Sequence, residues 1–219
     1  GCALPFLGRA SLPASLTQWS SPVARCDAAL LCFVAGWAFA NSVLSWQMNV
    51  EDEFAATDSF GHAVRFVAPV VLLAFGTGTG SYLKLEWLLR IAIASTFIGH
   101  GLAAYWLKPG FVDLIVGTMD TFFGDDWRLA GQRESFALVM LPWIGRLDFL
   151  LAALILIPFK RLRTVALWMA IWGFVTAVSR VTAFGWERWP DFLIRMANGG
   201  LPLLLWLEWK TSSNRPHSL

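Results

Sequence analysis

The chain has 219 residues, of which 57% are hydrophobic, 15% aromatic and only 15% charged, and its formal net charge is +2. Soluble domains carry about 25% charged residues, so this chain lacks the polar side chains that cover a water-exposed protein. The composition excludes a soluble enzyme domain, a disordered protein and a nucleic-acid-binding protein with a basic face. We therefore expect an integral membrane protein in contact with the lipid bilayer and without a nucleic-acid partner.

Apolar stretches recur along the chain, each close to the roughly 20 residues that an α-helix needs to cross the hydrocarbon core. They are long and continuous, unlike the alternating segments of about ten residues that form a transmembrane β-barrel. The sequence predicts an all-α, polytopic transmembrane helical bundle of about six spans, forming one domain over residues 28–209. The predicted spans are residues 28–48, 63–83, 85–107, 136–159, 164–184 and 192–209.

Basic residues predict the orientation of the bundle. In a six-span arrangement they fall on one side, and the opposite loops are acidic, so the positive-inside rule predicts that both termini are cytoplasmic. Residues 1–27 then form a cytoplasmic N-terminal segment and residues 210–219 a cytoplasmic tail, in a membrane that we expect to be the bacterial inner membrane. The basic residues are Arg9, Arg25, Lys84, Lys160, Arg161, Arg163, Lys210 and Arg215. Gly1-Cys2 leaves lipidation of Cys2 open, although the pattern favours its absence.

The connection at residues 108–135 is too polar to span. Its apolar residues recur at helical spacing, which predicts an amphipathic helix at the outer interface. Tryptophans near the predicted span ends, such as Trp106 and Trp209, are typical of an interfacial aromatic belt.

Polar residues inside the spans are the candidate functional residues, because a charge in the hydrocarbon core is costly and usually faces the bundle interior. Arg146 is near the middle of its span, and Asp148, two residues on, should lie on a different helix face. We expect the His and Arg side chains to converge on a cavity in the outer leaflet. The ligand-binding candidates are His100, Arg146, Asp148, Arg180, Arg195 and Asn198.

Three arginines and one histidine with few acids suit an anionic or strongly hydrogen-bonding guest, such as a bound phospholipid or a quinone. The structural alternative is that Arg180 and Arg195 extend to the interface, and that Arg146 pairs with Asp148 or with a backbone carbonyl of another helix. The sequence leaves both interpretations open.

No complete catalytic motif is present, so an enzymatic activity stays uncertain and no catalytic residue is identified. No His, Cys or Glu cluster has the spacing of metal ligands, and we expect no metal site. Neither His62 nor His217 is expected to face His100, which disfavours haem bound within this chain alone.

Two segments resemble the DoxX-like family of small membrane proteins. Arg90 followed by Phe97-Ile98-Gly99-His100-Gly101-Leu102 is similar to the arginine and His-Gly-Leu of that family, and the segment from Ile144 to Ala153 is similar to the start of its next helix. The resemblance extends over residues 85–184. It implies a helical-bundle membrane protein, in a family where some members are linked to quinone-reactive sulfur oxidation, with His100, Arg146 and Asp148 lining a shared interior.

Three functions fit these patterns. The first is a non-catalytic accessory or structural subunit of a larger respiratory or photosynthetic membrane complex, with other membrane subunits or further copies of the chain as partners. The second is a quinone-linked redox protein that uses His100 as proton donor or acceptor and Arg146 to stabilise a reduced quinone oxygen. The third is a protein that binds or transports an anionic lipid through its arginines.

Overall fold

The structure is a computed structural model that describes residues 22–77, 82–124, 126–159 and 162–213. The secondary structure of these residues is helical, without a strand, and confirms the predicted all-α fold. The helices are α1 (Pro22–Met48), α2 (Ala55–Gly61), α3 (Ala63–Thr77), α4 (Tyr82–Tyr105), α5 (Pro109–Phe123), α6 (Ala130–Leu156), α7 (Arg163–Phe184) and α8 (Trp189–Ser213). Cys2 and Arg9 of the predicted N-terminal segment, Lys160 and Arg161 of the basic turn, and Arg215 and His217 of the tail lie outside the described residues.

Among the described residues, four helices are long and apolar enough to cross a membrane. Large apolar side chains such as Phe33, Trp37 and Val139 are exposed on the outer faces of these helices, where hydrocarbon rather than water would solvate them. The chain is therefore an integral membrane protein. The four spans are Cys26–Met48 in α1, Leu83–Tyr105 in α4, Ala130–Leu156 in α6 and Arg163–Phe184 in α7.

The other two predicted spans also form helices, but neither combines the required length and apolarity. Helix α3 has 15 residues, which at 1.5 Å per residue gives about 22 Å, against a hydrocarbon core of about 30 Å. Helix α8 has 25 residues, but charged side chains enter its first and last turns, including Asp191 and Lys210. Both helices pack into the same bundle, α3 against α1 and α4, and α8 against α7.

Glycines allow the closest helix contacts. A Cβ added at Gly145 of α6 would lie 2.6 Å from the carbonyl oxygen of Gly101 in α4, and one added at Gly173 of α7 would lie 2.5 Å from the carbonyl carbon of Asn198 in α8. Small residues at such crossings let backbones approach, as in many membrane helix pairs. The antiparallel pairs α4–α6 and α7–α8 are held in register by these contacts.

One end of the bundle, which we call the termini end, is closed by a buried network. Arg90 donates to Glu86 at 2.5 Å and to the carbonyl oxygen of Ile157 at 3.0 Å, and the indole of Trp209 donates to Glu86 at 2.8 Å. Trp209 is fully buried here, so its predicted place in an interfacial belt is wrong. This network joins the start of α4 to the ends of α6 and α8.

The opposite end, which we call the loop end, carries α2, α5 and the 3₁₀ turn Trp186–Arg188. Lys108 is paired with Asp58 at 2.6 Å, and Arg133 with Asp120, so ion pairs fix both ends of α5. The predicted amphipathic helix is confirmed as α5, and none of its residues is fully buried. Cytoplasmic termini stay a prediction.

Candidate functional site

Five helices enclose a cavity of about 230 Å³ in the loop-end half of the bundle. Its walls are mostly apolar, with Phe97 from α4, Ile115 from α5 and Leu141 from α6 among the contributors. Helix α5 closes one side by presenting its apolar residues to the space between α4, α6 and α7. The amphipathic helix is thus a wall of the cavity as well as a surface element.

The structure brings five of the six candidate residues together around this cavity. Each comes from one of four helices that converge here: α4, α6, α7 and α8. The five lining residues are His100, Asp148, Arg180, Arg195 and Asn198.

Arg146 is the candidate that the structure places elsewhere. Its side chain is exposed on the outer face of α6, with its guanidinium carbon 4.6 Å from the ring centre of Trp143 and 5.8 Å from that of Tyr105. Asp148, two residues further on, is buried on the opposite face, as their spacing indicated. Arg146 therefore does not line a shared interior with His100 and Asp148, and its charge is held over aromatic rings.

A basic cluster lies beside the cavity and includes Arg65, which was not among the candidates from the sequence. Arg180 of α7 and Arg195 of α8 line the cavity, whereas Arg65 of α3 is not one of its lining residues. The three are close enough for their positive charges to act on one another. Arg65 also acts on His100. The sequence signal for Arg65 was present, because it is the one charge inside the apolar stretch at residues 63–83, but it was not used.

Acidic partners neutralise only part of this cluster. Asp191 lies 3.5 Å from both Arg195 and Arg188, while Asp58 is engaged by Lys108. Within the described residues, neither Arg65 nor Arg180 forms an ion pair, and the Nε of each is buried without a hydrogen-bond acceptor. The cluster therefore keeps an excess of positive charge beside an apolar space.

The two imidazoles at the site are held by backbone contacts. The ring of His100 lies against Gly61, where an added Cβ would come within 3.1 Å of its Cδ2, and its centre is 6.1 Å from that of Phe111. His62 follows Gly61 in the chain, so it is nearer to His100 than the sequence suggested. Burial, followed by the charges of Arg65, Arg195 and Lys108, lowers the pKa of His62 to about 3. His62 is therefore neutral at physiological pH and adds no positive charge to the cluster.

The inner end of the cavity has a different chemistry. Asp148 and Asn198 are each only 3% exposed, and the Oδ1 of each lacks a hydrogen-bond donor. Trp172 of α7 is another residue that lines the cavity. The cavity thus has unpaired acceptors at its inner end and unpaired donors at its mouth.

Comparisons of the chain with protein families, with curated proteins and with solved structures find no match. The resemblance to the DoxX-like family therefore stays a prediction. In the part of the chain that the structure describes, no three His, Cys, Asp or Glu side chains come together as a metal site would require.

Proposed function

We propose that this membrane protein binds an amphipathic anion, with the acidic group at the arginine cluster and the apolar part in the cavity. The observation that supports the proposal is the position of Arg65 and Arg180. Both are half-buried, and neither has an ion-pair partner among the described residues. Arg180 lines the apolar cavity, and Arg65 is close enough to Arg180 and Arg195 for their charges to act on it.

The free energy of desolvation of the arginines supports an anionic ligand. A guanidinium withdrawn from water loses solvation, and the loss is offset only when an anion with good hydrogen-bond geometry replaces the water. Carboxylate and phosphate groups match the planar fork of an arginine. A ligand carrying one of these groups would supply the acceptor that the Nε atoms of Arg65 and Arg180 lack.

Cavity size limits the enclosed part of the ligand. An apolar cavity of about 150 Å³ holds one benzene ring, so the volume of about 230 Å³ suits one ring system or a short chain. A complete phospholipid would have to leave most of its acyl chains outside. We therefore favour a short amphipathic acid, or the head and first carbons of a longer one.

A neutral quinone ring is the second candidate, because His100 and Arg180 both line the cavity and either can donate to a quinone carbonyl. The excess of positive charge favours the anion. The accessory-subunit role, with further subunits or copies of this chain as partners, stays a prediction, as does the bacterial inner membrane.

The test is binding of octanoate, measured by calorimetry on the full chain in lipid nanodiscs. We expect Arg65→Gln and Arg180→Gln to weaken binding by about 10-fold or more each, because each removes a charged hydrogen bond. Arg146→Gln is the matched control, since it removes an arginine that lies outside the cavity, and it should bind like wild type. Equal affinity in all four proteins, or co-purification of a quinone that the two cavity variants retain, would contradict the proposal.

A further inference from the structure

The inner end of the cavity has two unpaired side-chain oxygens, which indicate a second polar group on the ligand. This inference rests on the proposed function, because it concerns the other end of the same ligand. Asp148 and Asn198 come from different helices, each is buried to the same degree, and each keeps one side-chain oxygen without a donor. Two buried acceptors left unpaired in one cavity are uncommon in native proteins.

The two nearby hydroxyls on α7 cannot supply the missing donors. The hydroxyl of Thr176 donates to the carbonyl oxygen of Gly173 at 3.0 Å, and that of Ser179 donates to the carbonyl oxygen of Thr176 at 2.8 Å. With their hydrogens used by the backbone, both hydroxyls can offer only lone pairs to the cavity. These two hydroxyls of α7 therefore accept hydrogen bonds from the cavity and do not donate to it.

The unpaired oxygens of Asp148 and Asn198 favour a ligand that carries a hydrogen-bond donor. A buried carboxyl or amide oxygen without a partner has lost its hydrogen bonds to water and gained none in exchange. A ligand that donates a hydrogen bond to this oxygen offsets the free energy of its desolvation. A ligand with a methyl group at this end would instead bury the acceptors more completely. The inner end therefore favours a ligand with a hydroxyl or ammonium group over one that is apolar throughout.

The distance between the inner end of the cavity and Arg180 follows from the geometry of α7. Arg180 lies seven residues after Gly173 on α7, and Gly173 packs directly against Asn198. At 1.5 Å per residue, the separation along the helix axis is about 10 Å. A ligand that reaches both ends is therefore elongated, with its polar groups at opposite ends and apolar atoms between them.

We propose that Asp148 and Asn198 form a donor-selective subsite, and that the ligand is an elongated acid carrying a hydrogen-bond donor at the end remote from its acidic group. The donor can be a hydroxyl or an ammonium group. An ammonium group has three hydrogens and can satisfy Asp148, Asn198 and a hydroxyl oxygen together, whereas a hydroxyl has one.

The experiment compares three probes of equal chain length on the wild-type protein in nanodiscs: octanoate, ω-hydroxyoctanoate and ω-aminooctanoate. We expect the hydroxylated probe to bind about 5-fold more tightly than octanoate, the gain of one hydrogen bond to a buried carboxyl oxygen. Tighter binding of the amino probe than of the hydroxylated one would identify an ammonium donor, and the reverse order would identify a hydroxyl donor.

Substitutions at Asp148 then locate the preference. Asp148→Leu removes both carboxyl oxygens with a side chain of similar shape and leaves Asn198 in place, so it should reduce the advantage of the hydroxylated probe while octanoate still binds. Asp148→Asn keeps one carbonyl oxygen and should retain part of that advantage. The wild-type comparison does not depend on either variant folding, so the proposal can fail even if both are unstable.

The outcomes separate this inference from the proposed function. Equal affinity for the three probes, combined with weaker binding in Arg180→Gln, would overturn the inner subsite and leave the anion-binding function intact. A preference for donors that is unaffected by Arg65→Gln and Arg180→Gln would support the subsite and overturn the anion site. Absence of binding by all three probes would overturn both.

Discussion

Buried arginines lie at both ends of this bundle, and their surroundings differ. At the termini end, Arg90 is 3% exposed, bonds to Glu86 and to a backbone carbonyl, and lies between the rings of Trp87 and Trp209 at 5.0 and 4.7 Å. At the loop end, Arg65 and Arg180 lie close enough for their positive charges to act on each other, and Arg180 lines an apolar cavity. The same side chain is thus neutralised by the chain in one place and left unneutralised in the other.

The comparison separates a structural arginine from a ligand-binding one by its partners rather than by its depth. Arg90 bonds to Glu86 and to the carbonyl oxygen of Ile157, and only its Nε lacks an acceptor, so most of the cost of its burial is compensated within the fold. Arg65 and Arg180 have no ion-pair partner among the described residues, and in the proposed function a ligand supplies it. Substitutions should therefore destabilise the termini end and alter binding, but not folding, at the loop end.

The largest expected effect is on folding, in Glu86→Ala. Removing one member of a buried ion pair leaves the other charge uncompensated, at a typical cost of about 3–5 kcal/mol. Arg90 and the indole of Trp209 would lose the same acceptor together. We expect a loss of this size in the free energy of unfolding, measured by SDS titration in mixed micelles.

Asp113→Ala is the control for this loss, because Asp113 is an exposed acid on α5 without a packing role. It should change the free energy of unfolding by less than about 0.5 kcal/mol. If Glu86→Ala were no more destabilising than Asp113→Ala, the termini end would not be a structural network and the comparison would fail.

A smaller loss is expected at the helix crossing beneath the cavity. In Gly173→Ala the new methyl group would lie 2.5 Å from the backbone of Asn198, and neither helix can yield without separating. Overpacking of this kind costs about 1–3 kcal/mol. Gly36→Ala in α1 meets nothing within 4 Å and should be neutral or stabilising because alanine favours a helix. Equal stability of the two variants would show that the crossing is adjustable.

Trp209→Phe should cost less again. It keeps an aromatic ring over Arg90 but removes the 2.8 Å hydrogen bond to Glu86, which is worth about 1–2 kcal/mol for a charged acceptor. The exposed Trp186 gives the control, because Trp186→Phe removes no buried contact. A termini end that tolerated Trp209→Phe without measurable loss would be held by the Glu86–Arg90 pair alone.

The sequence was most informative where a polar residue interrupts an apolar stretch. A polar side chain in a span is costly unless it faces the bundle interior, so its presence in the sequence is informative. The residues found in this way are His100, Asp148, Arg180, Arg195 and Asn198.

What the sequence could not decide is which face of a helix points inward. Arg146 and Asp148 were both candidates, and only the packing of α4 against α6 places one outside and the other inside. Trp209 was misjudged for a related reason, since it sits near a predicted span end. Its terminal position in the sequence was taken for an interfacial one, whereas its side chain is fully buried in the bundle.

The smallest effect on folding is expected in Arg180→Gln without ligand. This variant is the most direct test of the difference between the two ends. Arg180 has no ion pair among the described residues, and the repulsion from Arg195 and Arg188 is opposed by attraction to Asp191 and Asp58. Replacing it with a neutral side chain of similar length removes both effects and keeps a hydrogen-bond donor at the cavity. We expect the free energy of unfolding of the ligand-free protein to change by less than about 1 kcal/mol, or to rise.

The same SDS titration, repeated with saturating octanoate, gives the counterpart. Ligand that binds only the folded protein stabilises it by about 2.7 kcal/mol at 100 times its dissociation constant. Wild type should gain this increment, and Arg180→Gln should gain distinctly less because its affinity is lower. A large loss in the ligand-free variant would make Arg180 a structural residue like Arg90. The two ends of the bundle would then differ only in how many partners each arginine has among the described residues.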